Sequence, residues 1–66
     1  MKFSTLVRTL DPLTEIAVFR DGDYQPIAEG KIRDLIEIHS FRILGVFDVA
    51  HIAVANDVVA IDLTID

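Results

Sequence analysis

A chain of 66 residues builds one domain, 1–66, and a domain of this size buries only about 60% of the surface its unfolded form exposes. Just over half of the residues are apolar (52%), the net charge is −5 and there is no cysteine, so neither a disulfide nor a Cys/His zinc site is available as a staple, and oligomerisation is the one that remains. The acidic balance repels phosphate backbones and argues against direct nucleic-acid binding; the longest nearly apolar run, 43–55, contains Asp48 and His51 and falls short of the ~20 residues that span a bilayer, which argues against a membrane anchor.

At the start of the chain, Phe3, Leu6, Val7 and Leu10 fall at i, i+3, i+4 and i+7, the stripe of a short amphipathic helix. Ser4 is placed to cap it, and Asp11-Pro12 to end it, because the residue before proline is pushed out of the helical region. About two turns of helix cannot stand alone and must lie on an apolar surface. Residues 1–10 lack the long apolar core and small-residue cleavage site of a signal peptide, and a disulfide-free secreted domain of this length is unusual. A cytoplasmic location is therefore expected.

Residues 15–20 alternate in character, Asp21-Gly22 is a tight-turn dipeptide, and 24–29 runs back as a second extended segment. A two-residue type I′ loop predicts the register in which Ile16 faces Ile27, Val18 faces Gln25 and Phe19 faces Tyr24. Pro26 removes one ladder donor, which places this second strand at an edge or leaves its N–H side unpaired. In 31–41, Ile32, Leu35, Ile36 and His39 sit at helical spacing while Ile36, Ile38 and Ser40 alternate. Asp34 with Glu37 has the form of a cap and its third-position partner, so a short helical turn is expected at 34–39.

The run 43–55 reads as a buried strand. Beyond it, Val59, Ile61, Leu63 and Ile65 alternate with Ala60, Asp62, Thr64 and Asp66, a half-buried strand with one inward face. Asn56-Asp57 as the preceding tight turn sets Val54 opposite Val59, Ile52 opposite Ile61 and Ala50 opposite Leu63 on that face. On the other face His51 lies opposite Asp62. The predicted architecture is α+β: a short N-terminal helix packed on an antiparallel sheet of two β-hairpins, with a short helical connection.

No set of residues forms a catalytic constellation. His51 and Asp62 are half of a triad, but there is no cysteine, and Ser4 and Ser40 have no geometric link to them. A cross-strand charge-assisted pair accounts for them. His39 and His51 lie in different predicted elements with no third ligand, so no metal site is assigned. Asp21-Gly22-Asp23 lacks the twelve-residue spread and flanking helices of an EF-hand, and Glu29-Gly30-Lys31 lacks the glycine-rich strand-to-helix run of a phosphate loop. No catalytic, cofactor-binding or metal residue is assigned, no cofactor is expected, and the expectation is a protein that is not an enzyme.

Asp11-Pro12, Thr14-Glu15-Ile16, Asp21-Gly22, Glu29-Gly30-Lys31-Ile32, Asp34-Leu35, and Asp57-Val58-Val59 with Ile61 together resemble the pattern of small uncharacterised proteins of Gram-positive phages and integrative mobile elements. The resemblance spans most of the chain and implies a cytoplasmic location and a mobile-element setting. It carries no activity and no functional residue.

The functional expectation is a non-enzymatic protein-interaction or self-associating accessory module, forming a homo-oligomer, specifically a dimer, and with an unidentified host protein as a further partner. Phe19, Tyr24, Phe41 and Phe47 are the aromatic residues expected to be shared between core and interface. The alternative reading starts from charge. All six basic residues lie in the first 42 positions, whereas 43–66 holds Asp48, Asp57, Asp62 and Asp66 and no base. An acidic C-terminal hairpin of this kind suggests a DNA mimic that blocks a host nucleic-acid-binding or defence protein, with Asp62 and Asp66 on one face as its contacts.

Overall fold

A computed structural model describes residues 1–65. The chain runs through α1 (Phe3–Thr9), β1 (Glu15–Arg20), β2 (Pro26–Lys31), α2 (Ile32–Leu35), α3 (His39–Ile43), a 3-10 turn at Leu44–Val46, β3 (Asp48–Ala55) and β4 (Val58–Thr64). The four strands make one sheet in the order β2-β1-β4-β3, and the α+β class follows directly.

Both hairpins form, but they join through a parallel pair. Ile16 lies beside Val59 and Val18 beside Ile61 in the parallel β1–β4 ladder, whereas β1–β2 and β3–β4 are antiparallel. The sheet is therefore mixed, where a wholly antiparallel one was expected. A parallel neighbour needs a crossover of a dozen or more residues, and the helical connection supplies it. The outcome puts at the centre of the sheet the two strands that bury most: Ile16, Val18, Ile61 and Leu63 are all fully inaccessible to solvent.

α1 lays Phe3 and Leu6 into the core and leaves Val7 and Leu10 half-buried against it, as their spacing predicts. Ser4 does not cap the helix. Lys2 takes the N-cap position with no side-chain bond, and Ser4 lies within the first turn. At the other end the Asp11 carboxylate accepts a hydrogen bond from the Leu13 N–H (2.8 Å) and its carbonyl accepts one from the Thr14 N–H (2.9 Å), a proline turn that stops the helix and starts β1.

The first hairpin is not a two-residue loop. Gly22 alone of the turn pair has positive φ (+92°), and the Asp23 N–H donates to the Arg20 carbonyl at 2.9 Å, so 20–23 is a type II turn with glycine at the third position. β2 resumes at Pro26, and the register becomes Ile16 to Gly30, Val18 to Ala28 and Phe19 to Pro26, displacing the expected partners Ile27, Gln25 and Tyr24. The competing interaction is tertiary: the Asp21 N–H donates to the Leu63 carbonyl of β4 at 2.8 Å, which extends the β1–β4 pairing past Arg20.

The second hairpin keeps its expected turn. Asn56 and Asp57 both have positive φ (52° and 63°), as type I′ requires, and Val54–Val59, Ile52–Ile61 and His51–Asp62 are partners. A bulge between Val49 and His51 then places Val49, in place of the expected Ala50, opposite Leu63. The run 43–55 is not one buried strand. Ile43 closes α3, Leu44–Val46 is the 3-10 turn, and β3 is an edge strand whose residues are mostly exposed.

The connection is helical, but at 32–35 and 39–43 instead of 34–39, and Asp34 makes no cap bond; the N-cap of α2 is Lys31. Ile32 and Arg33 donate their N–H groups to the Thr14 and Pro12 carbonyls (3.0 and 2.9 Å), which replaces a side-chain cap. The break falls at Ile38, which is extended (φ −92°, ψ 120°). In an unbroken helix Phe41 would lie about 180° around the axis from Ile32, since each residue advances by ~100°. The break resets the phase, so that Ile32, Leu35 and Phe41 all reach the core, where Phe41 meets Phe3 edge to face at 5.5 Å and 73°.

Candidate interaction surfaces

The sheet's inner face is covered by helices, and its outer face is not. Ile16, Val18, Ile61 and Leu63 cluster with Phe3, Leu6, Ile32, Leu35 and Phe41. Alternation along the strands turns Ala17, Phe19, Ala60 and Asp62 the other way. The register lines up Glu29, Ala17, Ala60 and Ala53 in one row across the four strands, with Phe19, Asp62 and His51 in the next.

The residues singled out for interaction do not form one patch. Phe19 is half-buried on the outer face. Phe47 is half-buried on the helix side, packed against the core, and Phe41 is within the core. Tyr24 projects from the β1–β2 loop, 95% exposed. Asp62 is on the outer face beside His51, with Nδ1 to Oδ2 at 3.7 Å and side-chain exposures of 31% for Asp62 and 70% for His51, an ion pair when the imidazole is protonated. Asp48 pairs with Lys2 (3.5 Å) at the start of β3, Asp57 sits in the tight turn, and Asp66 lies outside the described residues. The aspartates Asp48, Asp57 and Asp62 are thus dispersed, each at a different place on the second hairpin.

Neither serine joins His51 and Asp62 on the outer face. Ser4 lies in α1 and Ser40 in α3, both on the helix side of the sheet. His39 opens α3 and His51 lies in β3, and among the described residues no group of three or more His, Cys, Asp or Glu side chains converges to hold a metal. No described helix is long and apolar enough to cross a membrane.

Two surfaces stand out that sequence reasoning missed. The first is the free edge of β3. Its beginning is covered by the N-terminal segment: the Val49 N–H donates to the Met1 carbonyl (2.8 Å), the Phe3 N–H donates to the Phe47 carbonyl (2.9 Å), and Lys2 bridges to Asp48. Beyond that short cover, 50–55 is an open edge carrying Ala50, His51, Ile52, Ala53, Val54 and Ala55. Ile52 and Val54 share the helix-side face with Ile61 and Val59, yet they are 40% and 71% exposed. The helices stop short of this strand. The opposite edge, β2, is protected by Pro26 and Lys31.

The second is a groove of about 260 Å³ between α1 and the α2–α3 segment, with Phe3, Val7, Ile36 and Phe41 as apolar lining and Arg8 and Arg42 among its walls. A full-length strand reading of 43–55 hid the first surface by making β3 a core strand. The second depends on the helix break at Ile38, which no local pattern marks.

These features define an open-faced α+β sheet with one bare edge and an apolar groove among its helices. Comparison with protein-family models, curated proteins and solved structures finds no match to this chain.

Proposed function

We propose that this protein is a self-associating interaction module, a non-enzymatic accessory domain that forms a symmetric homodimer through the free edge of β3. The observation that carries this reading is the open apolar stretch 50–55, whose Ile52 and Val54 are left outside the protein's own core. An unpaired row of backbone groups on an apolar, β-branched edge is a template for another strand. Antiparallel pairing of β3 with its own copy about a two-fold axis is self-complementary. It makes one eight-stranded sheet of two four-stranded ones and brings Ile52 and Val54 of both copies together on the helix side.

Six residues per copy is far less than the roughly 20–30 a side of a standard stable interface. The dimer is therefore reversible and concentration-dependent, a property suited to an accessory module in the mobile-element setting that the sequence resemblance implies. Light scattering across micromolar to millimolar concentrations tests it. The expected result is a mass that rises from monomer to dimer, with Val54→Lys holding the chain monomeric and Tyr24→Ser, in the loop that leads to the opposite edge, leaving the dimer intact. A monomer mass throughout the range overturns the reading.

A further inference from the structure

We propose that the groove between α1 and the α2–α3 segment is a docking site for a short acidic, apolar segment of a partner protein: one or two large apolar side chains flanked by carboxylates. This site is separate from the β3 edge and does not depend on dimer formation.

The groove has an apolar lining from Phe3, Val7, Ile36 and Phe41, and Arg8 and Arg42 stand on its walls. Both arginines are exposed, and the ion pairs among the described residues, Lys2–Asp48, Arg33–Asp34 and His51–Asp62, include neither. In a chain with eleven acids and six bases, two cations left beside one apolar hollow make a local charge opposite to that of the whole. The described residues lining the groove include these two cations and no carboxylate, so its own walls offer a ligand positive charge.

Size selects the kind of ligand. A volume of about 260 Å³ lies just below the roughly 300–1,000 Å³ of pockets that enclose a complete small molecule, and it suits the anchoring side chains of a segment that continues outside. The guanidinium groups pair with carboxylates in a fixed two-pronged geometry. An anionic bilayer has the same chemistry of apolar tail and negative head, but its extended charge faces the whole molecule, whose net charge of −5 opposes adsorption. The peptide is the better fit.

The test is titration of isotopically labelled full-length protein, followed by amide NMR shifts, with three tetrapeptides capped at both ends: Asp-Leu-Phe-Asp, Lys-Leu-Phe-Lys and Asp-Ala-Ala-Asp. The expected result is saturable shifts at Ser4, Val7, Ile36 and Gly45 with the first peptide only. The double variant Arg8→Glu/Arg42→Glu should weaken that peptide by about five- to tenfold, the scale of two exposed ion pairs, and should turn the preference toward Lys-Leu-Phe-Lys. Both changes are at exposed positions, so the amide spectrum reports directly that the fold is kept. Equal binding of the first two peptides, shifts confined to 50–55, or no saturable shift at millimolar peptide would each overturn the proposal. So would broadening of the groove amides by phosphatidylglycerol vesicles in the absence of peptide response, which would assign the groove to lipid.

Discussion

Replacing Ile61 by alanine is the sharpest probe of how this fold is held together. Ile61 is fully inaccessible, and its neighbours across the sheet are Val18 on β1 and Ile52 on β3. Truncation of a buried isoleucine to alanine costs about 2–5 kcal/mol, from lost transfer energy and the cavity left behind. A domain of this length has a total stability of about 3–10 kcal/mol, so the substitution removes a large share of it. The next residue is the control. Asp62 faces the other side of the sheet, partly exposed beside an exposed His51, and a pair of that kind contributes below about 1 kcal/mol. One kcal/mol moves the midpoint of a domain this size by about 4–8 °C, so Ile61→Ala should lower Tm by at least ~8 °C and Asp62→Ala by only a few degrees. Circular dichroism melts at matched protein concentration measure both, since any dimer makes Tm concentration-dependent. Equal shifts would refute the assignment of the β4 faces.

Turn chemistry gives two further expectations. Asp57→Gly creates Asn-Gly in a type I′ turn where the native φ is already +63°, and should raise Tm by a few degrees; a lowered Tm would show that the aspartate side chain contributes more than the backbone strain. Gly22→Ala, at φ +92° with open space around it, should cost about 1–2 kcal/mol for backbone reasons alone, read as a lower urea midpoint with an unchanged slope. A Cβ added at Gly45 would stand 3.0 Å from the Ser4 Cβ, so Gly45→Ala should destabilise by about 1–3 kcal/mol through crowding of α1 against the 3-10 turn. In a double-mutant cycle with Ser4→Gly the two changes should be less than additive, whereas simple additivity would show that the two elements do not press on each other.

What was legible in the sequence was local and periodic. The stripe from Phe3 to Leu10, the proline stop, and the agreement of Val54, Ile52 and His51 with Val59, Ile61 and Asp62 about Asn56-Asp57 all follow from side-chain spacing and one turn type, and the structure has them. What was not legible depends on partners distant in the chain. Asp21-Gly22 gave the wrong loop because the Asp21 N–H is taken by Leu63 of β4, a choice invisible from the dipeptide. The stretch 31–41 carried a helical signal, read as one short turn at 34–39 without the break at Ile38, because that break serves to turn Phe41 toward Phe3. The apolar run 43–55 was read as buried on hydropathy alone. Its exposure follows from sheet order, which sets β3 at an edge that the helices do not reach. The candidate aromatic set is dispersed by strand alternation and helix phase, with Phe19 on the outer face, Phe41 and Phe47 together on the helix side and Tyr24 in the β1–β2 loop.

The most direct test of edge pairing is an isotope-filtered NMR experiment on an equal mixture of carbon-13-labelled and unlabelled chains at millimolar concentration. Pairing of β3 with its copy predicts intermolecular contacts between the methyl groups of Ile52 and Val54 of one protomer and those of its partner. Intermolecular contacts from Ala17, Phe19 or Ala60 in their place would assign association to the outer face of the sheet, and the absence of any intermolecular contact would contradict self-association altogether.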